Sequence, residues 1–553
     1  MADVTSPSAA SPGGPLGPIA LALSGGGYRA AAFHLGTLRT LQEAGLLQSV
    51  DVLSTVSGGT IVGASYALSQ VRNEGFERFY DDFLTRLRTQ RPIHRAAQLL
   101  TRQHNTLPRR TLIAAQAAAL DEQYYSGAKF GEFFAAPIHI GEIIFNATDF
   151  RCGLPFRFQR SRNPRARIGN GKHWMPPEIA RQMRLADVVA ASSCFPGGFE
   201  PLGFPHDFKW DDRDAVLQAL SDDSGEQTFS EPLPLMDGGV ADNQGLGSLR
   251  VALDRREKED QPPIGLVLIS DADSPSSAPL IKHVRSPQAG WFSVNNAILS
   301  ARVLLVVAVI AACLLGRRLT HMLVNRTLPD WWLFVESTFS FVVLSLAVVG
   351  LSVGLRWINR TVFHQIPERS GLDIVGTVGT LSPGWLGDLL RMRIESLYAM
   401  SNSVFMKNSR DLRYREMFEN DKLRDRVVAN LIYELPKRGA EMPGNGDAKV
   451  QPSAAMIQIA TYAGAMPTTL WFEDTVQLDA VVLCGRCTTC YNLLGHVRKR
   501  LDDDAADPNQ AADTLTAIDL EALRSRLLAI WQSLEAEVQG ERFAFVEVFG
   551  KLS

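Results

Sequence analysis

The sequence predicts an α/β fold, because short apolar runs end twice in glycine-rich turns that lead directly into helical patterns. The first run, residues 19–23, is followed by three consecutive glycines and by the alanine-rich stretch 29–33. The second run, residues 50–53, is followed by a serine among small residues and by the helical stretch 61–67. Each of these segments is expected to be a strand that ends in a tight turn and continues as a helix, and elements that alternate in this way indicate the α/β class.

The first of these turns has the composition of an anion-binding loop. Consecutive glycines at Gly25, Gly26 and Gly27 let backbone N–H groups point into one cavity, and the following helix adds the positive end of its dipole. Such a loop suits the oxyanion of an acyl-transfer reaction. Glycine-rich turns also bind phosphates in nucleotide-binding proteins, although the spacing here matches neither G-x-G-x-x-G nor a Walker A lysine.

The second turn places Ser57 in the arrangement of a nucleophile elbow, in which a tight turn projects a hydroxyl from the end of a strand. The usual pattern is G-x-S-x-G, whereas Thr55 occupies the first glycine position here. A β-branched side chain must therefore fit where strand and helix pack closely. The alternative interpretation is a plain helix start with Ser57 as its N-cap.

A third element supplies a carboxylate. Asp237 precedes Gly238 and Gly239 and follows the short apolar stretch 232–236. An aspartate before two glycines is by itself more often a turn than a catalytic base. In combination with the glycine loop and Ser57, it completes a set of oxyanion hole, nucleophile and base.

Together the three elements resemble the patatin-like phospholipases, whose pattern is G-G-G-x-R/K, then a serine elbow, then D-G-G or D-G-A. Residues 145–149 with 153–155, and residues 190–197, also resemble segments of that family. The resemblance extends over residues 18–275 and resumes within 400–498. It implies a three-layer α/β/α fold and a Ser-Asp dyad, with Ser57 as nucleophile and Asp237 as the base that takes its proton directly.

The resemblance also implies an oxyanion hole made by the amides of Gly25, Gly26 and Gly27. Arg29 is expected to support the site, either by fixing this loop or by binding a lipid phosphate, and a purely structural ion pair remains open. We expect His34 to be a packed or surface histidine, because it lies about two turns past the glycine loop in the first helix. No cofactor or metal is expected, since no acidic cluster has the character of a calcium site.

A second informative region lies between residues 285 and 362. Residues 337–355 are nineteen uncharged residues with tryptophans near both ends, which is typical of a transmembrane helix. Residues 303–316 are uncharged over only fourteen positions, and a span requires extension back to 291 past Arg302. We therefore expect a two-span membrane hairpin, with long buried helices or an interfacial pair as alternatives.

The predicted organisation has five parts. They are a disordered tail at 1–18, a catalytic core at 19–275, the membrane hairpin at 285–362, the remainder of the catalytic domain at 376–498 with a late strand at 457–460, and a C-terminal helical segment at 499–553. Because residues 1–18 lack the apolar region of a signal peptide, we expect the catalytic domain to remain in the cytoplasm.

The functional prediction is a membrane-associated serine lipid acyl hydrolase of phospholipase A or lysophospholipase type. Its partners would be the lipid bilayer and a phospholipid or other lipid ester substrate. A net charge of −3 gives no general attraction to nucleic acid. The alternatives are a transacylase or non-phospholipid esterase, or a catalytically decayed membrane-binding or signalling protein, which Thr55 keeps open. The sequence does not predict the oligomeric state.

Overall fold

The computed structural model describes residues 14–101, 107–135, 137–221, 229, 231–273, 294–325, 342, 349, 391–397, 400–435, 450–506 and 514–549. The chain divides into two compact units. One consists of Met1–Ser277 with Met400–Ser553, and the other of Ala278–Ala399.

The first unit is built on a mixed sheet, which has ten strands among the described residues. They are β1 (Ile19–Leu23), β2 (Val50–Val56), β3 (Glu142–Asp149), β4 (Leu154–Ser161), β5 (Ile168–Gly169), β6 (Trp174–Met175), β7 (Leu202–Phe204), β8 (Leu233–Asp237), β9 (Leu266–Asp271) and β10 (Val427–Leu431). The strand order is β10-β9-β1-β2-β3-β4-β5-β6. The five strands from β10 to β3 are parallel, and β4, β5 and β6 continue the sheet antiparallel.

Helices connect these strands and follow them. In the N-terminal part they are α1 (Gly27–Glu43), α2 (Gly58–Val71), α3 (Phe76–Thr89), α4 (Pro92–Thr101), α5 (Leu112–Leu120), α6 (Glu132–Ala135), α7 (Pro177–Ala180), α8 (Leu185–Ser192), α9 (Arg213–Ser221), α10 (Gly239–Asp242) and α11 (Leu246–Lys258). The second unit contains α12 (Val294–Asn325), and the C-terminal part has α13 (Met406–Phe418), α14 (Ala454–Ala465), α15 (Thr475–Ala506) and α16 (Thr514–Phe549).

Strand β3 changes its neighbour part-way along its length. Its first half pairs with β2, and this pairing ends where Val56 lies opposite Asn146. At the next residue, Ala147, the antiparallel strand β8 takes over, with Asp237 as its first partner. The end of β2 and the end of β8 therefore meet at one point on β3, although they belong to distant parts of the sequence.

Apolar side chains cover both faces of the sheet, as the alternation of side chains along a strand requires. Leu21 and Leu53 point into the larger cluster, with helices α1, α2 and α15. Ala22 and Val52 point into a smaller cluster with α11. The predicted α/β class is confirmed, with a central mixed sheet and helices on both faces.

Two details differ from the sequence predictions. Residues 457–460 were expected to form a strand, but they lie inside α14, whose N-terminus is capped by the Ser453 hydroxyl accepting from the N–H of Met456. The residues that α14 buries include Met456, Ile459, Ala460 and Ala463, which follow the i, i+3, i+4, i+7 spacing of one helix face, so this prediction is wrong. Leu16 is buried and the Pro18 carbonyl accepts from Gly265, so the folded part begins before the predicted boundary.

The predicted membrane hairpin lies in the second unit. Its first span falls within α12, and its second span, residues 337–355, lies outside the described residues except for 342 and 349. In the part of the chain that the structure describes, no helix combines the length and apolarity needed to span a membrane.

Candidate active site

Ser57 and Asp237 lie at the point where β3 changes neighbours. Ser57 follows the last residue of β2 and precedes α2, with φ 51° and ψ −118°. A non-glycine residue in this conformation stores about 1–3 kcal/mol of strain, and such strain is found preferentially at functional sites. The turn places Ser57 beside the end of β8, close enough to Asp237 for the serine hydroxyl to lower the pKa of that carboxylate.

Asp237 is a buried carboxylate held by neutral donors. Its Oδ1 accepts from the N–H of Gly239 at 2.7 Å, and the Ser57 hydroxyl is the other polar group that acts on it. None of the salt bridges of the described residues includes it. Burial raises the pKa of Asp237 to about 6, and the two hydrogen bonds oppose that rise because they stabilise the charged form.

The glycine loop packs directly against the nucleophile turn. A Cβ added at Gly25 would lie 3.3 Å from the Cβ of Ser57, and one added at Gly58 would collide with the backbone of Gly27. Only a residue without a side chain fits at Gly58, because the first residues of α1 and α2 approach each other so closely. The loop is also tied to the C-terminal part of the chain, since the N–H of Tyr28 donates to the Thr469 carbonyl at 2.9 Å.

The three glycines do not offer equivalent amides, which corrects one prediction. The N–H of Gly25 donates to the carbonyl of Asn243 at 2.9 Å, so it is already used in holding the loop. The N–H groups of Gly26 and Gly27 have no hydrogen-bond partner among the described residues. Gly26 is the residue before α1 and Gly27 is its first residue, so neither amide has an acceptor within the helix. Two of the three predicted donors thus remain available to an oxyanion.

Arg29 is buried beneath the loop. Its Nη1 donates to the carbonyl of Met466, and the carboxylates of Asp273 and Asp271 interact with it electrostatically. Burial lowers the pKa of the guanidinium, and the two carboxylates oppose this. Of the roles left open by the sequence, these contacts favour fixing the loop from below.

His34 is a fully buried, neutral histidine, because burial lowers its pKa to about 4. Its Nε2 lies 2.9 Å from the carbonyl oxygen of Ser24, and its Nδ1 lies 2.9 Å from the hydroxyl of Ser270. A carbonyl only accepts, so Nε2 carries the proton and Nδ1 accepts from the serine. His34 therefore supports the start of the glycine loop and does not contact Ser57, in line with the expected packed histidine.

Thr55 fits into the elbow because space is provided elsewhere. A Cβ added at Gly63, one turn into α2, would lie 2.6 Å from the Cγ2 of Thr55. The glycine that the usual elbow pattern has at the position of Thr55 is thus replaced functionally by Gly63 on the facing helix. The departure from the pattern is compensated sterically.

Two residues near the dyad were missed by sequence reasoning as parts of the site. Asn243, six residues after Asp237, holds Gly25 through its carbonyl. Ser192, seen only as part of a family-like segment, accepts the N–H of Ser57. A serine at the end of an apolar helical stretch was the only available signal.

The described residues contain one group with metal-ligand character, formed by Asp149, Cys152 and His173. Asp149 already accepts from Asn170 at 3.0 Å, from the Arg151 N–H at 3.1 Å, and bonds to His173 at 2.8 Å. These contacts join two neighbouring hairpins, and they account for the buried carboxylate without an ion.

Comparison with known proteins agrees with this geometry. Residues 21–250 match the model of the patatin-like phospholipase family, which confirms the resemblance over this region. A domain of this family supports the predicted enzyme class, a lipid-hydrolysing esterase. No curated protein matches the chain.

Two solved structures show weak similarity. Human GIVD cytosolic phospholipase A2 is 15% identical, with 47% of this chain and 44% of that chain covered and a TM-score of 0.29. The same human protein in complex with methyl gamma-linolenyl fluorophosphonate and terbium chloride is 18% identical, with coverages of 46% and 40% and a TM-score of 0.28. The chain spans less than half the length of these proteins, and the scores are too low to bear on its function.

Proposed function

We propose, from the patatin-like phospholipase domain in residues 21–250, that this chain is a serine lipid acyl hydrolase using a Ser-Asp dyad. The observation that carries the proposal is the meeting of the strained Ser57 and the buried carboxylate of Asp237 where β3 exchanges β2 for β8, beside a loop with two available amides. A strained serine, a base in contact with it and nearby donors are the parts that acyl transfer requires.

The reaction follows from these positions. Asp237 takes the proton of Ser57 as the serine oxygen attacks the ester carbonyl, and the N–H groups of Gly26 and Gly27 stabilise the oxyanion. Asp237 then gives the proton to the leaving alcohol, and an acyl-enzyme on Ser57 remains. Water attacks this ester with Asp237 again as base, which releases the fatty acid and restores the serine.

Burial makes Asp237 a stronger base than an ordinary aspartate. With a pKa of about 6 it is still ionised at neutral pH, so the form that accepts a proton is the major one. A nearby cation would lower the pKa and weaken the base. The neutral surroundings of Asp237 therefore support its proposed role.

Membrane association is the second part of the proposal, with the catalytic domain on the cytoplasmic side. It is supported by exposed apolar side chains along α12, which include Leu299, Val303, Leu304, Val306, Val307, Val309, Ile310 and Leu314. Moving apolar surface out of water is favourable by about 25 cal/mol per Å². Contact with lipid would give this helix an apolar environment and keep the enzyme near an ester substrate in the bilayer.

The test is fatty acid release from mixed phospholipid vesicles by the wild type, Ser57→Ala and Asp237→Asn, with the lipid products identified by mass spectrometry. Release by the wild type that is lost in both variants supports the dyad and identifies the headgroup and position cleaved. Transfer of the acyl chain to an alcohol acceptor would instead indicate a transacylase. A folded wild type that releases nothing and does not react with a fluorophosphonate would overturn the proposal.

A further inference from the structure

We propose that Ser192, at the end of α8, is a positioning residue that holds Ser57 in its reactive conformation by accepting its backbone N–H. A one-way chain of hydroxyl donors, from Thr55 to Thr60 to Ser192, keeps the Ser192 hydroxyl in place. The inference rests on the proposed function, since it assigns Ser192 a role in activating the same nucleophile. Nothing in the sequence pattern of the nucleophile turn points to this residue.

The contacts of Ser192 saturate its hydroxyl group. Its Oγ accepts the backbone N–H of Ser57 at 3.1 Å and donates to the carbonyl of Asn146 at 2.6 Å. The hydroxyl of Thr60 lies 2.8 Å from the same oxygen. A serine hydroxyl has one hydrogen and two lone pairs, and all three are used here.

Counting hydrogens fixes the direction of the chain. Because the hydrogen of Ser192 is given to Asn146, the contact with Thr60 must be a donation from Thr60 to Ser192. Thr60 then has no hydrogen left for Thr55, whose hydroxyl lies 2.9 Å away, so Thr55 donates to Thr60. The Ile144 carbonyl is a more distant alternative acceptor for Thr55, at 3.4 Å.

The Ser192 hydroxyl, which gives its own hydrogen to Asn146, is also the acceptor for the backbone N–H of Ser57. Ser57 has a positive φ and is buried, so its N–H cannot pair as it would in a strand or in the helix interior. A buried donor without a partner is costly, and the acceptor supplied by Ser192 removes that cost only while Ser57 stays in this conformation. Ser192 therefore favours the rotated serine over a relaxed one.

The same segment also holds the base. The carbonyl of Ser192 accepts the N–H of Gly238 at 3.2 Å, and the carbonyl of Cys194 accepts the N–H of Asp237 at 2.8 Å. One short segment thus sets the positions of both partners of the dyad. Its backbone holds the aspartate loop, and the Ser192 side chain holds the nucleophile.

This arrangement also gives the Thr55 hydroxyl a role in the site. It replaces a glycine of the usual elbow pattern, but its hydroxyl is the first donor of the chain that leads through Thr60 to Ser192, and Ser192 accepts the N–H of Ser57. We therefore interpret Thr55 as part of an intact site, in contrast to the decayed site that the sequence left open.

The test measures the rate of labelling by a fluorophosphonate between pH 4.5 and 8.5 in the wild type, Ser192→Ala and Ser193→Ala. Ser193 is the matched control, because it lies next in the chain and its hydroxyl donates only to the carbonyl of Val189 in α8. We expect labelling of Ser192→Ala to fall about 10- to 100-fold, since small displacements of a nucleophile cost this much. Ser193→Ala should label like the wild type.

The pH midpoint gives a readout that a purely structural role would not move. The hydrogen bond from Ser57 lowers the pKa of Asp237, so a displaced serine should shift the labelling midpoint upwards in Ser192→Ala. Cys194, the other titratable group facing Asp237 among the described residues, stays neutral because burial raises the pKa of its thiol. A normal rate and an unshifted midpoint in a folded Ser192→Ala would overturn the inference.

Two further variants decide the matter if Ser192→Ala does not fold. Thr60→Val keeps the shape of the side chain but removes the donor to Ser192, whereas Thr60→Ser keeps the donor. Slower labelling in Thr60→Val that is absent in Thr60→Ser supports the chain, and equal rates overturn it. Failure of the wild type itself to label would overturn the proposed function and this inference together, and is thereby distinguished from failure of Ser192 alone.

Discussion

At the start of β2 and β3 the buried carboxylates are paired with arginines, whereas at the end of the same strands a buried carboxylate has no cation beside it. Asp51 contacts Arg256 and Arg162, and Glu142 contacts Arg255. At the other end, Asp237 is bonded only to a hydroxyl and a backbone amide. The two ends of these strands therefore hold a buried carboxylate in different ways, one beside arginines and the other without a cation.

The difference teaches where this fold keeps its stability and where it keeps its reactivity. A paired carboxylate fixes the position of α11 against the strands through its arginine. A carboxylate desolvated without a cation is costly, and that cost appears as the raised basicity that catalysis needs. A change at one end of the strands is therefore expected to leave the other end unaffected.

The largest effect is expected at the unpaired carboxylate. Asp237→Asn removes the base while keeping the shape of the side chain, so ester hydrolysis should fall by about 10²- to 10⁴-fold. Thermal unfolding, measured alongside the rate, should show no loss of stability, because a neutral amide is cheaper to bury than a carboxylate. Retention of more than a tenth of the activity would mean that another group is the base.

The next largest effect is expected at the opposite end of the strands, where Asp51 lies. Arg256→Met leaves Asp51 buried with only the partly exposed Arg162, and the free energy of unfolding should fall by about 3 kcal/mol. Fluorophosphonate labelling per folded molecule should be unchanged. Lys422→Met, which breaks an exposed pair with Glu257, is the control and should cost less than about 1 kcal/mol. A labelling defect in Arg256→Met would contradict the proposed independence of the two strand ends.

A smaller effect tests the steric compensation behind the nucleophile turn. Gly63→Ala would bring a methyl group to 2.6 Å from the Cγ2 of Thr55 and should destabilise the protein by about 1–3 kcal/mol. Thr55→Ser removes that methyl group and keeps the hydroxyl, so the double variant should recover most of the loss. Gly75→Ala, where an added methyl meets nothing within 4 Å, is the control. Additive losses in urea unfolding would contradict the compensation.

The smallest effect is on the pH dependence. Below pH 6 the hydrolysis rate should fall about tenfold per unit, because Asp237 becomes protonated. For stability the sign is opposite. The folded chain keeps this proton up to about pH 6 and the unfolded chain loses it near pH 4, so the stabilising contribution present below pH 4 is lost as pH rises to 6. The stability of the wild type relative to Asp237→Asn should therefore decrease over this window, and a constant difference would contradict the assignment.

The local parts of the site could be predicted from the sequence, because each is a short motif with its own chemistry. Ser57 and Asp237 were identified as candidates from the glycines beside them, and the structure brings both together. Their meeting point could not be predicted, because it depends on β3 exchanging β2 for β8 between Asn146 and Ala147. Strand pairing between distant segments leaves no local pattern.

The failures have the same origin. The amide of Gly25 is taken by a carbonyl far along the chain, which no pattern of glycines could reveal. Residues 457–460 have an alternation that fits a short strand, and only the cap at Ser453 and the packing of α14 decide for a helix. The role of Ser192 depends on three partners from different elements, which are the N–H of Ser57, the carbonyl of Asn146 and the hydroxyl of Thr60.

The bond between Tyr28 and Thr469 has a consequence for biosynthesis. Ser57 leaves the ribosome long before Thr469, and β10, which extends the sheet beside β9, follows only at Val427. A nascent chain that has just completed the family-matched region therefore carries the nucleophile but not the segment that fixes its glycine loop. Esterase activity should emerge late in translation, when the C-terminal part has folded back onto the first helix.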